Sequence, residues 1–162
     1  ARLCLCALDI SLICTKMCAG MEINMRIGML TSGGDCQALN AAMRGVAKSL
    51  YNKVDDVQIY GFLDGYRGLI NNTYKLMDIN DFSGILTIGG TILGTSRTPF
   101  KKINEPDENG KDKVEAMKHT YKELGLDCLV ILGGNGTHKT ANLLYKEGLN
   151  VVTLPKLSLI HI

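Results

Sequence analysis

The sequence has 162 residues, of which 46% are apolar and 21% charged, with a formal net charge of +2. A chain of this length can bury a substantial core, and the composition is that of a globular protein rather than a disordered or fibrous one. The small net charge and the lack of a basic stripe exclude a typical nucleic-acid binder. No apolar run approaches the roughly 20 residues that a membrane-spanning helix needs, so no membrane partner is expected.

The first 24 residues differ in character from the rest of the chain. Their apolar run is interrupted by charged residues, which is not the pattern of a secretory signal. We expect residues 1–24 to be a non-native or untranslated leader, with the native start at Met21 or Met25. Four of the six cysteines lie in this leader. The other two, Cys36 and Cys128, are isolated, as expected of reduced thiols in a cytoplasmic protein.

The remainder alternates between strand and helix patterns. Leu39 opens an apolar series at helical spacing, and the glycine-rich stretch at 85–97 is predicted to be loop. The segment DGYRG at 64–68 is predicted to be a turn. Strands are predicted at 25–34, 57–62, 127–134 and 150–155, and helices at 39–50, 114–124 and 137–148. Alternating strands and helices with short loops predict an α/β fold, in which a parallel sheet has helices on both faces.

Two glycine-rich turns follow predicted strands in the same way. They read TSGGDCQALNAA and LGGNGTHKTANLL. Ligands of open parallel sheets bind beyond the carboxyl ends of the strands, glycine allows close backbone approach to a phosphate, and the following helix directs free N–H groups at the anion. The glycines could instead serve only to make tight turns. Two such loops on one edge, with Arg97 in a third glycine-rich loop, favour a phosphate site.

Two common phosphate-binding motifs are excluded. A Walker loop requires glycine immediately before Lys-Thr, but His138 precedes Lys139 here. A dinucleotide fingerprint requires a third glycine where Lys139 stands. His138 itself is predicted to be an ordinary surface residue of the helix, because it belongs to no recognisable base or ligand pattern.

Five motifs occur in the order and approximate spacing of one known family. They are IGMLTSGGDCQALNAAMRG, GFLDGYRGLI, GGTILGTSR, LDCLVILGGNGT and LPK. Over residues 25–156 the chain therefore resembles the N-terminal, ATP-binding domain of 6-phosphofructokinase, and covers less than half of a family chain. The resemblance implies two α/β domains and transfer of the γ-phosphoryl group of ATP to the 1-hydroxyl of fructose 6-phosphate. It also implies Mg²⁺ bound with ATP, and a homotetramer.

The resemblance also implies which residues bind the donor. Arg97 makes chemical sense there, because a guanidinium neutralises charge on a transferring phosphoryl group, although it could also be a surface ion-pair residue. Tyr66 would line the donor pocket, or could equally be a core residue. The implied ATP-binding residues are Gly34, Tyr66, Arg97, Thr98, Gly134, Asn135, Gly136 and Thr137.

Donor choice depends on two positions. Family members that use ATP carry glycine where Gly136 stands, whereas pyrophosphate users carry aspartate, which would fill the space of the nucleotide. Lys156 resembles the pyrophosphate and mixed-type branch, some of whose members combine this lysine with the glycine and still use ATP. An aspartate at position 136 would exclude the nucleotide sterically, whereas the extra cation of Lys156 excludes neither donor, so the glycine decides and ATP is expected. Asn135 replaces the family's usual aspartate near Mg²⁺; it is a weaker, neutral ligand, and the nucleotide phosphates could carry the ion.

The segment after Lys156 departs from the family. There, Pro-Lys is followed by Thr-Ile-Asp-Asn-Asp, whose first aspartate is the general base. Here residues 157–162 read LSLIHI, which holds no carboxylate and matches a translated sequencing-adapter end. We expect these six residues to be an artefact, no catalytic residue to be present, and the chain as written to lack kinase activity.

Three alternatives stay open. One is a pyrophosphate-dependent phosphofructokinase, which Lys156 permits and Gly136 opposes. Another is an NAD or lipid kinase, whose donor loop also has the form Gly-Gly-Asp-Gly but which lacks LTSGGD and GGTILGTSR in this order. The third is a non-catalytic nucleotide-binding module.

Overall fold

The computed structural model describes residues 24–36, 38–96 and 112–156, together with Phe100, Ile103, Glu105, Pro106 and Gly110. Residues 1–23 and 157–162 of the predicted leader and tail, and the predicted site residues Arg97 and Thr98, lie outside the described residues. The strands are β1 (Asn24–Ser32), β2 (Asp56–Phe62), β3 (Tyr74–Met77), β4 (Cys128–Gly133) and β5 (Val151–Pro155). The α-helices are α1 (Ala38–Lys53), α2 (Tyr66–Ile70), α3 (Lys113–Glu123) and α4 (Asn135–Lys146), with 3₁₀ turns at Ile79–Phe82 and Ile85–Thr87.

The five strands form one sheet in the order β3-β2-β1-β4-β5. β1 pairs in parallel with β2 and β4, and β4 pairs in parallel with β5. Strand order reverses between β1 and β4, because the chain moves outward from β1 to β2 and in the opposite direction from β4 to β5. Right-handed crossovers then require α1 and α4 to lie on opposite faces of the sheet.

The core confirms this two-sided arrangement. Leu39, Met43 and Ala47 of α1, at four-residue spacing, pack with Met29 and Ile59 on one face. On the other face, helices α2, α3 and α4 pack against the sheet through the buried residues Tyr66, Leu69, Met117, Ala141 and Leu144. The predicted α/β fold with helices on both faces is therefore correct.

Two elements differ from the sequence prediction. The sheet is not wholly parallel, because β3 pairs antiparallel with β2 at its edge. The predicted turn at 64–68 is in part the short helix α2, which begins at Tyr66. β3 has four residues, three of them exposed, so it lacks both the length and the apolar alternation by which a strand is recognised from sequence.

Gly68 makes this return of the chain possible. A Cβ added at Gly68 would lie 2.7 Å from the carbonyl oxygen of Thr73 and 2.9 Å from the backbone nitrogen of Leu63. The amide of Thr73 also donates to the Gly68 carbonyl at 2.8 Å. The contacts are with backbone, which cannot move aside as a flexible side chain can.

No helix in the described part of the chain combines the length and apolar character needed to cross a membrane.

We predict that Gly68→Ala lowers the free energy of unfolding by about 2–3 kcal/mol, because the added methyl collides with fixed backbone. Gly45→Ala is the matched control. Gly45 lies in the interior of α1, where an added Cβ meets no described atom within 4 Å, so alanine should stabilise the helix by about 0.5–1 kcal/mol. Urea denaturation of the three proteins measures both changes, and equal stabilities for the two variants would contradict this account of the β2–β3 return.

Candidate functional site

The two glycine-rich turns lie side by side at the point where strand order reverses. Ser32, the last residue of β1, is in register with Gly133, the last residue of β4. A Cβ on Gly133 would come within 2.6 Å of both the Ser32 carbonyl and the Thr137 hydroxyl, so this approach requires glycine. Gly33 takes a positive φ of 94°, which turns the chain sharply away from the strand. Crevices at such reversal points are the usual ligand sites of open α/β sheets.

Side chains and backbone fasten the two turns to each other. The Thr137 hydroxyl donates to the Ser32 carbonyl at 3.4 Å, and the backbone N–H of Lys156 donates to the Gly133 carbonyl at 2.8 Å. The Lys156 ammonium crosses the crevice and donates to the carbonyl of Gly34. Among the described residues, the hydrogen-bond partner of this ammonium is a neutral carbonyl and not a carboxylate.

Helix α4 presents its N-terminus to the same crevice. Gly134 is its N-cap and supplies no side-chain hydrogen bond, and the first turn contains no acidic residue. The first-turn N–H groups are therefore available to an anion, and the helix dipole favours one there.

Gly136 lies in this exposed first turn. A Cβ added to it meets no described atom within 4 Å, and its φ is not positive. Packing within the described chain therefore does not require glycine here, although glycine is a poor helix residue. The space in front of Gly136 is open to a ligand.

Tyr66 supports the α4 turn from inside the core. Its side chain is 1% exposed, and its hydroxyl donates to the Thr137 carbonyl at 2.8 Å. Burial raises the pKa of this hydroxyl, so Tyr66 stays neutral. Its predicted role in lining the donor pocket stays a prediction, because the contact that the structure gives for its hydroxyl is with the first turn of α4.

The third glycine-rich loop, described for residues 85–96, is held against the same edge. The Thr31 hydroxyl donates to the Gly94 carbonyl at 2.8 Å, and the Ser32 hydroxyl donates to the Ser96 carbonyl at 3.3 Å. Asp64, at a positive φ of 54°, donates its N–H to the Leu93 carbonyl at 2.9 Å. This loop ends immediately before the predicted phosphate ligand Arg97.

Sequence reasoning missed several residues that fix these loops. Thr31 is fully buried at the end of β1, and Asn40 is fully buried on the apolar side of α1. The sequence signal for both residues is a polar side chain at a position where the apolar pattern predicts a buried one. His138, predicted to be a surface residue, is half-buried, and its Nε2 atom is buried without a hydrogen-bond partner in the described part of the chain.

The described residues supply little for a metal ion. They contain no group of three His, Cys, Asp or Glu side chains that could hold one. Asn135 is exposed in the first turn of α4 and offers a single amide oxygen. This environment suits a cation that arrives already coordinated by phosphate oxygens better than one held by the protein alone.

We predict that Lys156→Met weakens binding of pyrophosphate by about tenfold or more, because a charge-assisted hydrogen bond to the anion is lost. Lys146→Met removes the same charge from the far end of α4 and should leave the affinity within about twofold. Isothermal titration of the purified chain at two salt concentrations measures both. Equal losses for the two variants would mean that only net charge matters.

The sequence also matches known proteins. A family model described as phosphofructokinase matches residues 26–157. The ATP-dependent 6-phosphofructokinase of Spirochaeta thermophila is 58% identical over 132 residues, which are 80% of this chain and 36% of that protein. The enzyme of the same name from Propionibacterium freudenreichii is 46% identical over 134 residues, covering 83% of this chain and 35% of that one. The chain thus spans about a third of the length of these relatives.

Solved structures agree. Phosphofructokinase of Pichia pastoris in the T-state superposes with a TM-score of 0.66 at 29% identity, covering 82% of this chain and 15% of that one. The pyrophosphate-dependent phosphofructokinase of Nitrosospira multiformis superposes with a TM-score of 0.65 at 16% identity, over 83% of this chain and 34% of that one, and is evidence of shared fold alone. Because one family accounts for the sequence from Arg26 to Leu157 and its solved members share this sheet, the chain belongs to the phosphofructokinase family.

Proposed function

We propose that this chain forms the donor-binding part of an ATP-dependent 6-phosphofructokinase. The complete enzyme would transfer the γ-phosphoryl group of ATP to the 1-hydroxyl of fructose 6-phosphate in cytoplasmic glycolysis, as a homotetramer. One observation carries the proposal: two glycine turns and a lysine ammonium converge at the reversal of strand order, in a chain whose relatives are named ATP-dependent 6-phosphofructokinases.

The donor phosphates would be held mainly by backbone and by cations. Gly34 allows close approach, the first turn of α4 offers its N–H groups, and Lys156 and Arg97 supply positive charge. Phosphoryl transfer needs little covalent chemistry from the protein, because positioning and charge stabilisation lower most of the barrier. Mg²⁺ bound to the ATP phosphates would supply further neutralising charge, with Asn135 as a neutral ligand at most.

ATP is the proposed donor because there is open space next to the donor loop for the α-phosphate and nucleoside. The α-phosphate and nucleoside extend beyond the two phosphates that pyrophosphate also has, so they need room next to the donor loop. Gly136 leaves that room, since an added Cβ there meets no described atom within 4 Å. Thr98, which follows Arg97, is assigned to the same nucleotide site by family resemblance.

The acceptor half of the reaction belongs, in this proposal, to the part of the enzyme beyond this chain. The general base is expected directly after Lys156, and the site for fructose 6-phosphate largely in the second domain. The chain spans 36% of the Spirochaeta relative, so donor binding is the part of the proposed function that this chain can test directly.

A pyrophosphate-dependent enzyme is the second candidate, and Lys156 is the observation that favours it. An ammonium between the two turns could serve a small, highly charged donor as well as a nucleotide. Affinities of the purified chain for Mg²⁺-ATP and Mg²⁺-pyrophosphate separate the two. Tighter binding of pyrophosphate than ATP would select the second candidate, and binding of neither would overturn both.

We predict that Gly136→Asp weakens Mg²⁺-ATP binding by about tenfold or more and leaves the thermal unfolding temperature unchanged or slightly higher. The carboxylate fills the open space and repels phosphate, while an acidic side chain in the first turn suits the helix dipole. Gly45→Asp is the matched control, because it adds the same side chain at an exposed glycine of α1, where an added Cβ also meets no described atom within 4 Å, and it should keep ATP binding. Isothermal titration and calorimetry measure the two effects, and ATP binding by Gly136→Asp at the parental affinity would contradict the donor assignment.

A further inference from the structure

We propose that Asn40 is a positioning residue for the donor phosphates. Its side-chain amide holds the loop from Ile85 to Ile92, which continues into the segment that ends at Arg97. The inference rests on the proposed function, because Arg97 is taken to contact the donor.

The Asn40 amide is buried and uses its oxygen and its nitrogen. Its Nδ2 donates to the carbonyls of Ile85 and Ile88, each at 3.2 Å, and its Oδ1 accepts from the N–H of Ile92 at 3.0 Å. The residue is 0% exposed. Two donor contacts and one acceptor contact at this length fit an asparagine side chain, whereas aspartate has no donor and leucine has neither.

Helix α1 does not itself need an asparagine here. Asparagine is a weaker helix former than leucine or alanine, and a buried amide lowers stability unless its hydrogen bonds are made. The partners of Asn40 all lie in the loop, outside its own helix. The Asn40 side chain therefore contributes to stability by holding the loop in place. After Thr87 the backbone of this loop has no regular secondary structure among the described residues.

Thr31 restrains the next residues of the same loop, Thr91 and Gly94. Its hydroxyl donates to the Gly94 carbonyl and contacts the Thr91 hydroxyl at 3.1 Å, so the loop is held on both sides of Leu93. Helix α1, which carries Asn40, begins directly after the first glycine turn. Asn40 thus links the third glycine-rich loop to helix α1, which follows the first glycine-rich turn. Small displacements of residues that hold a transferring phosphoryl group have large effects on the rate of transfer.

The test uses the full 162-residue chain and four variants. They are Asn40→Asp, Arg97→Ala, the double variant, and Asn150→Asp as control. The control removes a similar amide bond, from Asn150 Nδ2 to the Asp127 carbonyl at 3.0 Å, which lies at the other end of the sheet. The measurements are Mg²⁺-ATP affinity by isothermal titration and amide hydrogen exchange between Ile88 and Ser96.

We expect Asn40→Asp and Arg97→Ala each to weaken ATP binding by about tenfold, and the double variant to be at most about threefold weaker than either. Such sub-additivity is what two residues acting through one contact produce. Hydrogen exchange in the loop should accelerate at least tenfold in Asn40→Asp and stay unchanged in Asn150→Asp, which should also keep its affinity for ATP.

Additive losses, or loop exchange that does not change, would overturn the positioning role of Asn40. If the parental chain binds no ATP, the proposed function fails instead, while the exchange data still decide whether Asn40 holds the loop. Thr31→Val serves if Asn40→Asp does not fold: it removes the hydroxyl bond to Gly94 and should show the same sub-additivity with Arg97→Ala, whereas additivity would count against the proposal.

Discussion

The pairing of Ser32 with Gly133 is the constraint on which the rest of the site depends. Because β1 and β4 are parallel neighbours from which the chain departs in opposite directions, their following helices lie on opposite faces of the sheet. Among the described residues, neither of these two helices then covers the gap between the two strand ends. The glycine turns meet in this gap, and only glycine at position 133 permits the approach to the Ser32 carbonyl.

The site contains two kinds of residue: buried residues that hold the backbone in place, and exposed residues that a ligand can reach. Tyr66, Thr31 and Asn40 are buried, and each donates a hydrogen bond to a backbone carbonyl. The acceptor lies in the first turn of α4 for Tyr66 and in the third glycine-rich loop for Thr31 and Asn40. Asn135 and Gly136 are exposed in the first turn of α4. A rigid, satisfied layer beneath a polar surface allows backbone N–H groups to stay aimed at an anion without rearrangement, which is how preorganised electrostatic sites work.

The sequence was sufficient for features that depend on local pattern. Buried strands, amphipathic helices and glycine turns are set by neighbouring residues, so the α/β fold and the meeting of both turns at one edge could be predicted. Strand β3 could not be predicted, because its pairing depends on the close approach of Gly68 to Leu63 and Thr73. The local sequence pattern does not indicate that contact. Asn40 was missed for the same reason, since its partners lie 45 to 52 residues further along the chain.

Lys156 and Gly136 gave opposite indications of the donor, and their positions reconcile them. The Lys156 ammonium contacts the Gly34 carbonyl, on the β1 side of the crevice, whereas no described atom lies within 4 Å of a Cβ at Gly136. A lysine engaged beside Gly34 therefore does not occupy the space in front of α4. A hydrogen bond to a neutral carbonyl is also weaker than one to a phosphate oxygen, so an arriving donor can displace it. The two residues are therefore compatible within the proposed nucleotide site, and the lysine does not argue against the proposal of ATP as the donor.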